Sequence, residues 1–322
     1  MTYAPETSAR DNGEAPQAFI RTRNILETVR IVVTGGAGFI GAHLVNRLAS
    51  THAGDILVLD NLHRGHSRDS LPSSVQFLEA DIRSRADVDL AVRGCDIVFH
   101  LAAQSNVMGA VADSGYAFST NVVATHIVLD AAAAAGVKRL VFTSSREVYG
   151  DPKSIPVRET APLRAKNAYG ASKIAGEVYC RLAAQQGLET AVLRLANVYG
   201  PGDRDRVIPL FAAAAAAGEP ITVFGSHKIL DFVWIDTVVD ALIQAGFGRH
   251  IRGPVNVGSG KGTTLVDLAR RIAKLTKSSS RIQVTGEREP EVGRFVADIA
   301  RGKRLLGIQE PADPLWALPQ ML

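Results

Sequence analysis

Short apolar runs alternate with helical patterns along the first 200 residues of the chain. Ile31, Val32 and Val33 form the first run, which ends at Gly35, and a helical pattern follows over residues 38–50. Runs of the same type recur at 55–59, 75–78, 96–100, 139–143 and 190–194, with helical stretches such as 119–135 between them. Strands that are apolar on both faces and alternate with helices predict an α/β fold with a Rossmann-type doubly wound parallel sheet.

The pattern changes at two points, which divides the chain into three segments. Residues 1–28 are polar and lack a sustained apolar period, so we expect a loose N-terminal extension, or else a short arm anchored by Phe19 and Ile20. Residues 29–200 carry the predicted sheet. Beyond them the elements shorten to a helix at 212–217 and strands at 221–224 and 255–257, so residues 201–322 are predicted to form a smaller α/β lobe interleaved with the first.

Composition and charge exclude several classes of protein. Of the 322 residues, 46% are hydrophobic and 21% are charged, which excludes a disordered chain, a collagen-like fibre and a long coiled coil. We expect a cytoplasmic protein with no membrane partner, because there is no uncharged apolar run of membrane-spanning length and no secretory signal pattern.

Cys95 and Cys180 lack disulfide or metal spacing and are predicted to be buried thiols, with no metal site. The net charge of +4 comes without a basic block, which argues against nucleic-acid binding and fits a basic pocket for a phosphorylated small molecule.

A glycine-rich turn follows the first predicted strand. Gly35, Gly38 and Gly41 have the spacing GxxGxxG and open a helix. Glycines in this position allow a tight turn, close approach of the backbone to a pyrophosphate, and close packing of helix on strand. The turn therefore predicts a dinucleotide site.

Asp60 ends the second predicted strand, 19 residues after the last of these glycines. An acid at this point binds the adenosine ribose hydroxyls and repels a 2′-phosphate, which favours NAD over NADP. Arg64 and Arg68 lie nearby and soften that preference. Asp81 and Ile82 follow the third strand, where they could meet the adenine edge. The small residues after His100, itself predicted to be a core histidine, leave room for a cofactor across the strand ends.

Tyr169 and Lys173 stand four residues apart on a predicted helix, so their side chains share one face. A lysine beside a tyrosine is expected to lower the phenol pKa and so create a base near neutral pH. The same lysine can bind the ribose of a nicotinamide. Ser145 follows the fifth strand at the end that faces the ligand crevice. Together the three residues predict a catalytic site with a hydrogen-bond donor, a base and a charge.

With these residues together, the chain resembles the extended short-chain dehydrogenase/reductases that act on nucleotide sugars. The resemblance covers residues 30–308 and rests on residues 35–41, Asp60, residues 100–103, Asn121, and residues 145–150, 169–173 and 194–200. It implies a NAD-binding domain over residues 29–200, which carries the Tyr/Lys helix, and a substrate lobe mainly over residues 201–322. It also implies a homodimer that pairs through the helices at about 119–135 and 167–186.

The resemblance assigns residues to each ligand. The cofactor contacts, with those proposed above, are Gly35, Gly38, Phe39, Ile40, Gly41, Asp60, Asn61, Asp81, Ile82, Leu101, Ala102, Ala103, Asn121, Tyr169, Lys173 and Val198. The nucleotide-sugar contacts are Ser145, Arg146, Asn197, Val207, Val223, Phe224, Lys228, Arg288 and Glu291. Among these, Asn197 would hold the diphosphate, Val223 and Phe224 would line the base pocket, Arg288 would contact the phosphates and Glu291 the substrate ribose.

The chain departs from the family pattern at the substrate end. Arg146 follows the catalytic serine where similar 4,6-dehydratases carry an acid for water loss, although the next residue, Glu147, is retained as a possible auxiliary group. Leu230 replaces a phosphate-binding arginine, and Lys228 or Arg146 could supply the missing charge. Three roles stay open for Arg146: pairing with the diphosphate, binding a sugar carboxylate, or forming an ion pair with Glu147 or Glu159.

Taken with the residues above, the resemblance implies NAD-dependent 4-epimerisation of a nucleotide diphosphate sugar through a transient 4-keto intermediate. A UDP-hexose is the first choice, on the frequency of that substrate in the family. One alternative is a UDP-glucuronate decarboxylase or a UDP-glucuronate 4-epimerase. Glu147 stands in a Glu-Val-Tyr-Gly sequence that resembles that of the decarboxylases, and Arg146 could bind the carboxylate of the substrate. A non-catalytic dinucleotide-sensing protein is the alternative from another class, and such proteins commonly lack the Tyr/Lys pair that this chain keeps.

Overall fold

The computed structural model describes residues 29–51, 54–64, 67–249 and 251–322, so the predicted N-terminal extension lies outside the described residues. The strands are β1 (Ile31–Thr34), β2 (Ile56–Asp60), β3 (Gln76–Glu79), β4 (Ile97–His100), β5 (Arg139–Ser145), β6 (Glu189–Leu195), β7 (Asn197–Tyr199), β8 (Ile221–Phe224), β9 (Ile229–Trp234), β10 (Pro254–Val257), β11 (Gly262–Thr264) and β12 (Ile282–Thr285). The α-helices are α1 (Phe39–Thr51), α2 (Arg85–Val92), α3 (Val107–Ala112), α4 (Ser114–Phe118), α5 (Ala124–Ala134), α6 (Ala168–Gln185), α7 (Val207–Ala217), α8 (Ile235–Phe247), α9 (Leu265–Leu275) and α10 (Ala300–Leu306).

Seven strands form one parallel sheet in the order β10-β6-β5-β4-β1-β2-β3. Helices cover both faces, and the strand order reverses between β1 and β4. In open α/β sheets ligands bind at such a reversal, outside the carboxyl ends of the strands. The predicted Rossmann-type fold is therefore confirmed, and its ligand crevice lies where β1, β4 and β5 end.

The first strand shows why these short runs become central strands. Ile31 and Val33 are fully buried in one hydrophobic core, and Val32 is fully buried in the core on the other face of the sheet. A strand covered on both faces has no polar side, which is why the sequence reads as a continuous apolar run. The edge strand β3 is half exposed and begins one residue later than predicted.

The helix predicted at residues 119–135 is interrupted. The chain makes a π-helical turn at Ser119–Val123 before α5 begins at Ala124. Among the described residues, one helical stretch, Ser114–Ala134, is long and apolar enough to cross a membrane, and half of its most apolar window is buried inside the fold. A core helix passes the same test.

The second lobe is built on small sheets that share chain segments with the large one. β7 pairs in parallel with β9, which also pairs with β11, and β8 pairs with β12. β7 precedes residue 200 yet belongs to this lobe, whereas β10 returns to the edge of the large sheet beside β6. The sequence predicted β8 and β10, but not β7, β9, β11 or β12. β7, β11 and β12 lack an apolar run of their own, and the apolar run of β9 is interrupted by Asp231.

Candidate active site

A cavity of about 760 Å³ lies at the carboxyl ends of the central strands and extends into the second lobe. It brings together most residues that the sequence singled out. These are Gly35, Gly38, Phe39, Ile40, Gly41, Asp60, Asn61, Ile82, Leu101, Ala102, Ala103, Ser145, Arg146, Glu147, Tyr169, Lys173, Asn197, Val198, Val207, Phe224, Lys228, Arg288 and Glu291. Asp81, Asn121 and Val223 do not line it.

The glycine-rich turn packs too closely for other residues at two of its positions. Gly35 has a φ of +71°, and a Cβ there would lie 2.6 Å from the backbone nitrogen of Ala102. A Cβ on Gly41 would lie 2.1 Å from the carbonyl oxygen of Gly35. The turn therefore brings bare backbone to the start of α1, which is the arrangement that binds a pyrophosphate.

The Asp60 carboxylate is fixed by backbone amides at the edge of the cavity. It accepts hydrogen bonds from the amide of Ala37 at 3.0 Å and from the amide of Leu62 at 2.9 Å. Arg64 and Arg68, whose charges would favour the 2′-phosphate of NADP, contact other side chains of the protein. Arg64 pairs with Asp205 at 2.5 Å, and Arg68 lies 5.6 Å from the ring centre of Phe77.

Asp81 does not itself line the cavity but is hydrogen-bonded to Asn61, which does, so its predicted contact with the cofactor stays a prediction. Its carboxylate accepts hydrogen bonds from the Arg83 guanidinium at 2.8 and 2.9 Å and from the Asn61 amide at 2.9 Å. The bonds from Arg83, assisted by Asn61, hold the pKa of Asp81 at about 2. The neighbouring Ile82 does line the cavity.

Asn121 is buried behind the wall rather than at the cofactor. Its Oδ1 accepts from the Gln104 amide at 2.8 Å, and its Nδ2 donates to the Gln104 carbonyl at 3.1 Å and to Ser172 Oγ at 3.0 Å. Asn121 thus ties the π-helical turn to the loop after β4 and to α6. The residue before it, Thr120, lines the cavity, and its hydroxyl has no partner among the described residues.

The three predicted catalytic residues meet in the cavity. Asn167 caps α6 by accepting from the Gly170 amide at 2.8 Å, which places Tyr169 in the first turn of the helix. Ser145 ends β5 close to the Tyr169 phenol, and its Oγ accepts a hydrogen bond from the Glu147 amide at 3.2 Å. One turn along α6, the Lys173 Nζ donates to the Thr143 carbonyl at 2.9 Å and lies 5.8 Å from the centre of the Tyr169 ring.

The pKa of Tyr169 differs from the prediction. Burial raises it to about 12, while the charge of Arg206, the nearby Ser145 hydroxyl and the charge of Arg146 act to lower it. Burial also lowers the pKa of Lys173 to about 8. The expectation that Lys173 lowers the phenol pKa is wrong for the cofactor-free protein, because desolvation outweighs the nearby charges.

His100 is a core residue, as predicted. It is 1% exposed, and its two ring nitrogens lie 2.7 Å from Thr34 Oγ1 and 3.0 Å from Thr125 Oγ1. Burial, with the charge of Lys173, lowers its pKa to about 3, so the ring is neutral. Cys95 and Cys180 are free and buried, which confirms that prediction as well.

The substrate end of the cavity carries stacked and paired charges. The Arg288 guanidinium lies 3.7 Å from the ring centre of Phe224 and 3.6 Å from the Glu291 carboxylate, which also pairs with Lys228. The Asn197 amide donates to the Asp231 carbonyl at 3.1 Å.

Val223 is fully buried in the hydrophobic core, which corrects its predicted place in the base pocket. Side chains alternate along a strand, so on β8 Thr222 and Phe224 face the cavity instead.

Arg146 forms an ion pair with its neighbour. Its Nη2 lies 3.0 Å from Glu147 Oε1, and the two side chains are 11% and 5% exposed. Glu147 Oε2 accepts from the Asn167 amide at 2.8 Å. Glu159, the other predicted partner, instead accepts from the Asn256 amide and, through its carbonyl, from Arg194.

The sequence interpretation missed a charged loop between β7 and α7. Asp203, Arg204, Asp205 and Arg206 all line the cavity. Arg206 pairs with Asp203 at 3.1 Å, and its guanidinium lies 5.3 Å from the ring centre of Phe39 in the glycine-rich turn. The sequence signal that could have revealed this loop is the alternation of acidic and basic residues directly before the apolar helix α7.

Comparisons with known proteins agree with this geometry. A family model described as the NAD dependent epimerase/dehydratase family matches residues 31–258. The UDP-glucose 4-epimerase of Mycolicibacterium smegmatis is 35% identical over 297 residues, which cover 87% of this chain and 93% of the relative. UDP-glucuronic acid decarboxylase 4 of Arabidopsis thaliana is 30% identical over 313 residues, which cover 92% of this chain and 68% of the relative. The solved structure of the Thermus thermophilus UDP-glucose 4-epimerase in complex with NAD has a TM-score of 0.84 at 30% identity, with 91% and 99% of the two chains covered.

Proposed function

Since the chain belongs to the NAD-dependent epimerase/dehydratase family, we propose that it interconverts the C4 epimers of a nucleotide diphosphate sugar, with UDP as the nucleotide. The observation that carries the proposal is the meeting of Ser145, Tyr169 and Lys173 in one cavity. On one side of them lies the glycine-rich turn, and on the other lie Asn197 and Arg288.

The cofactor of the family is NAD, and the residues at the sheet end of the cavity fit it. The backbone of Gly35–Gly41 would hold the pyrophosphate, and Asp60 would bind the adenosine ribose and disfavour a 2′-phosphate. Lys173 would bind the ribose of the nicotinamide. When bound, NAD supplies the group that accepts a hydride from C4 of the sugar and returns it.

The protein's own residues handle the proton at the C4 oxygen. Tyr169 would take the C4 hydroxyl proton as the carbon is oxidised and give it back on reduction. Ser145, which lies beside Tyr169 in the cavity, would bond to the same oxygen and polarise the carbonyl that develops. Because hydride returns to the carbon that lost it, the cycle needs no external oxidant.

The substrate end fits a nucleotide diphosphate. The Phe224 ring, with Arg288 stacked on it, offers a face for a base, and the nearby cations Lys228 and Arg206 can meet phosphate charge. The choice of UDP follows the names of the similar proteins rather than a contact of this chain.

Arg146, the residue after Ser145, bears on two related reactions, 4,6-dehydration and reactions of UDP-glucuronate. A guanidinium stays charged and cannot donate the proton that water loss requires, so Arg146 argues against a 4,6-dehydratase. The second candidate is a reaction on UDP-glucuronate, because the Arg146 cation could meet a sugar carboxylate. That reaction would be C4 epimerisation or decarboxylation, and a similar plant protein is named for decarboxylation.

We also propose that the protein is a homodimer paired through α5 and α6. Large apolar side chains are exposed along and beside these helices, among them Phe118 (59% exposed), Val123 (42%), Val178 (38%) and Leu182 (44%). Exposed apolar side chains grouped in this way are typical of an interface.

The proposed reaction is tested by incubating the protein with a panel of nucleotide sugars, followed by mass spectrometry and sugar NMR. A product of unchanged mass with inverted C4 supports epimerisation. Loss of carbon dioxide or of water shows decarboxylation or dehydration instead, and binding without turnover of any sugar would favour a dinucleotide-sensing protein.

A further inference from the structure

Arg146 is the buried cation nearest along the chain to the catalytic serine. It begins the 3₁₀ turn Arg146–Tyr149 directly after β5, and it lines the cavity. Its side chain is 11% exposed, and its Nη1 is buried without a hydrogen-bond partner in the part of the chain that the structure describes. A buried guanidinium with a free donor is costly, which suggests that a ligand completes its bonding.

The pairing with Glu147 leaves room for a second anion. The Arg146 Nη2 pairs with Glu147 Oε1 at 3.0 Å, while Glu147 Oε2 accepts from Asn167. A guanidinium has five N–H donors in a planar fork and can hold two carboxylates at once.

The position along the cavity indicates which anion this is. Ser145 and Tyr169 mark the place of the C4 oxygen, and Arg146 adjoins Ser145 in the chain. In a hexose, C5 is bonded to C4 and carries C6. Two other cations, Lys228 and Arg288, pair with Glu291 at the Phe224 end of the cavity, where the base is proposed to stack. The anionic group that a sugar can present beside C4 is a carboxylate at C6.

We propose that Arg146 binds a C6 carboxylate, so that the substrate class is a nucleotide diphosphate hexuronate. This inference rests on the proposed C4 epimerisation. It concerns the sugar and leaves the roles of Ser145, Tyr169 and Lys173 unchanged.

The same contact explains how a hexuronate would keep its carboxylate. Oxidation at C4 removes a hydride from the carbon and a proton from its oxygen, which leaves a ketone β to the carboxylate. Such an acid loses carbon dioxide when the C5–C6 bond breaks and its electron pair moves into the enolate. An ion pair with Arg146 stabilises the carboxylate relative to neutral carbon dioxide, and therefore favours return of hydride to C4 over decarboxylation.

The test compares UDP-glucuronate, UDP-glucose and free UDP on the NAD-loaded protein, by calorimetric binding and by turnover. The wild type should bind UDP-glucuronate about 10- to 100-fold more tightly than UDP-glucose, the scale of a charge-assisted hydrogen bond. Arg146→Gln should remove that preference and leave the affinities for UDP-glucose and UDP within about threefold.

Two further variants show whether an effect of Arg146→Gln comes from the lost contact or from a disturbed fold. Arg146→Lys keeps the charge but not the fork and should retain part of the preference. Arg158→Ala is the matched control, because Arg158 is an exposed arginine paired with Asp298, and it should change none of the affinities.

Three results would overturn the inference. Equal wild-type affinity for the two sugars would do so, as would weaker binding of free UDP by Arg146→Gln, which would place Arg146 at the diphosphate. A lower melting temperature of Arg146→Gln with every affinity unchanged would make the residue structural. Because binding is measured apart from turnover, failure of the proposed reaction would appear as tight binding without product, and the preference for the carboxylate would still be decided.

Discussion

Burial and positive charge act in opposite directions on the Tyr169 phenol. Burial raises its pKa to about 12, and the charges of Arg206 and Arg146 only partly offset that effect. In the cofactor-free protein the phenol therefore keeps its proton at neutral pH. NAD in its oxidised form carries a positive nicotinamide ring, and added positive charge favours the phenolate. We therefore expect the base to form when the cofactor is bound, rather than through Lys173 alone.

Replacement of Tyr169 by phenylalanine separates chemistry from cofactor binding. Tyr169→Phe should abolish turnover, a loss of at least about 10²-fold for a missing acid–base group, while NAD stays bound through the glycine-rich turn and Lys173. NAD content after purification and single-turnover kinetics measure the two effects. Loss of cofactor together with activity would show that Tyr169 is structural.

The ionisation of Tyr169 gives a pH prediction with a definite sign. A phenol is neutral below its pKa, so the cofactor-free protein should show no Tyr169 phenolate until the pH approaches 12. Saturation with oxidised NAD should move this ionisation to lower pH, because positive charge stabilises the anion. The near-ultraviolet absorbance of phenolate, with Tyr169→Phe as the reference, follows the change. An unaltered titration would contradict this account of the base.

The sequence predicted single site residues best where one residue type meets a fixed backbone requirement. Gly35 and Gly41 have no space for a Cβ, so their spacing survives in the sequence as a pattern. Val223 was placed wrongly because a one-residue shift on a strand moves a side chain to the other face. The Tyr169 pKa could not be predicted, since it depends on how deeply the fold buries the phenol.

Helix α6 is held on the sheet by a buried ion pair one turn beyond Lys173. Arg194 on β6 donates to Glu177 at 2.6 and 2.9 Å, and both side chains are less than a tenth exposed. Glu177 also accepts from Ser144 at 2.5 Å, next to the catalytic Ser145. The pair therefore sets the position of the helix that carries Tyr169 and Lys173.

Removal of one partner from this pair should destabilise the protein strongly. Glu177→Gln leaves the Arg194 charge buried, which should lower the free energy of unfolding by about 3–5 kcal/mol. The exposed pair of Arg85 and Asp89 provides the control, and Asp89→Asn should cost less than about 1 kcal/mol. Urea denaturation of the two variants compares them, and equal losses would show that the buried pair contributes no more than a surface one.

At the scale of elements, the large sheet was predictable, whereas only β8 and part of α7 were predicted in the second lobe. The two-faced apolar runs give β1, β2 and β4 directly, with boundaries within a residue or two. β7 and β9 are stabilised by pairing with each other across some 30 residues of sequence, which local patterns do not record. The π-helical turn before α5 depends on contacts of Asn121 with a distant loop, and it was missed for the same reason.

At the scale of the whole molecule, side chains around the cavity connect the end that carries the glycine-rich turn with the loop before α7. Arg64 pairs with Asp205, and the His43 ring nitrogen lies 2.8 Å from the Pro201 carbonyl oxygen, so the loop before α7 is tied to the glycine-rich half. This enclosure fits the proposed reaction, in which the cofactor would stay bound between two hydride transfers. The family resemblance read from the motifs is confirmed by the match over residues 31–258.

The proposed dimer makes a prediction about the exposed face of α5 and α6. Light scattering should give about twice the 34.3 kDa mass of the chain at micromolar concentration. Leu182→Asp should convert it to a monomer, because a buried unpaired carboxylate opposes association. Val284→Asp, an exposed apolar position elsewhere in the chain, should leave the mass unchanged. A wild-type mass of one chain would contradict the dimer.

The central claim, oxidation and reduction at the same carbon, is tested most directly with a UDP-sugar that carries deuterium at C4. The substrate is incubated with the NAD-loaded protein, and the product is examined by NMR and mass spectrometry. The account predicts a product of unchanged mass with inverted C4 and with the deuterium still on C4, because the hydride that leaves is the one that returns. A product without the label, or one lighter by water or carbon dioxide, would contradict it.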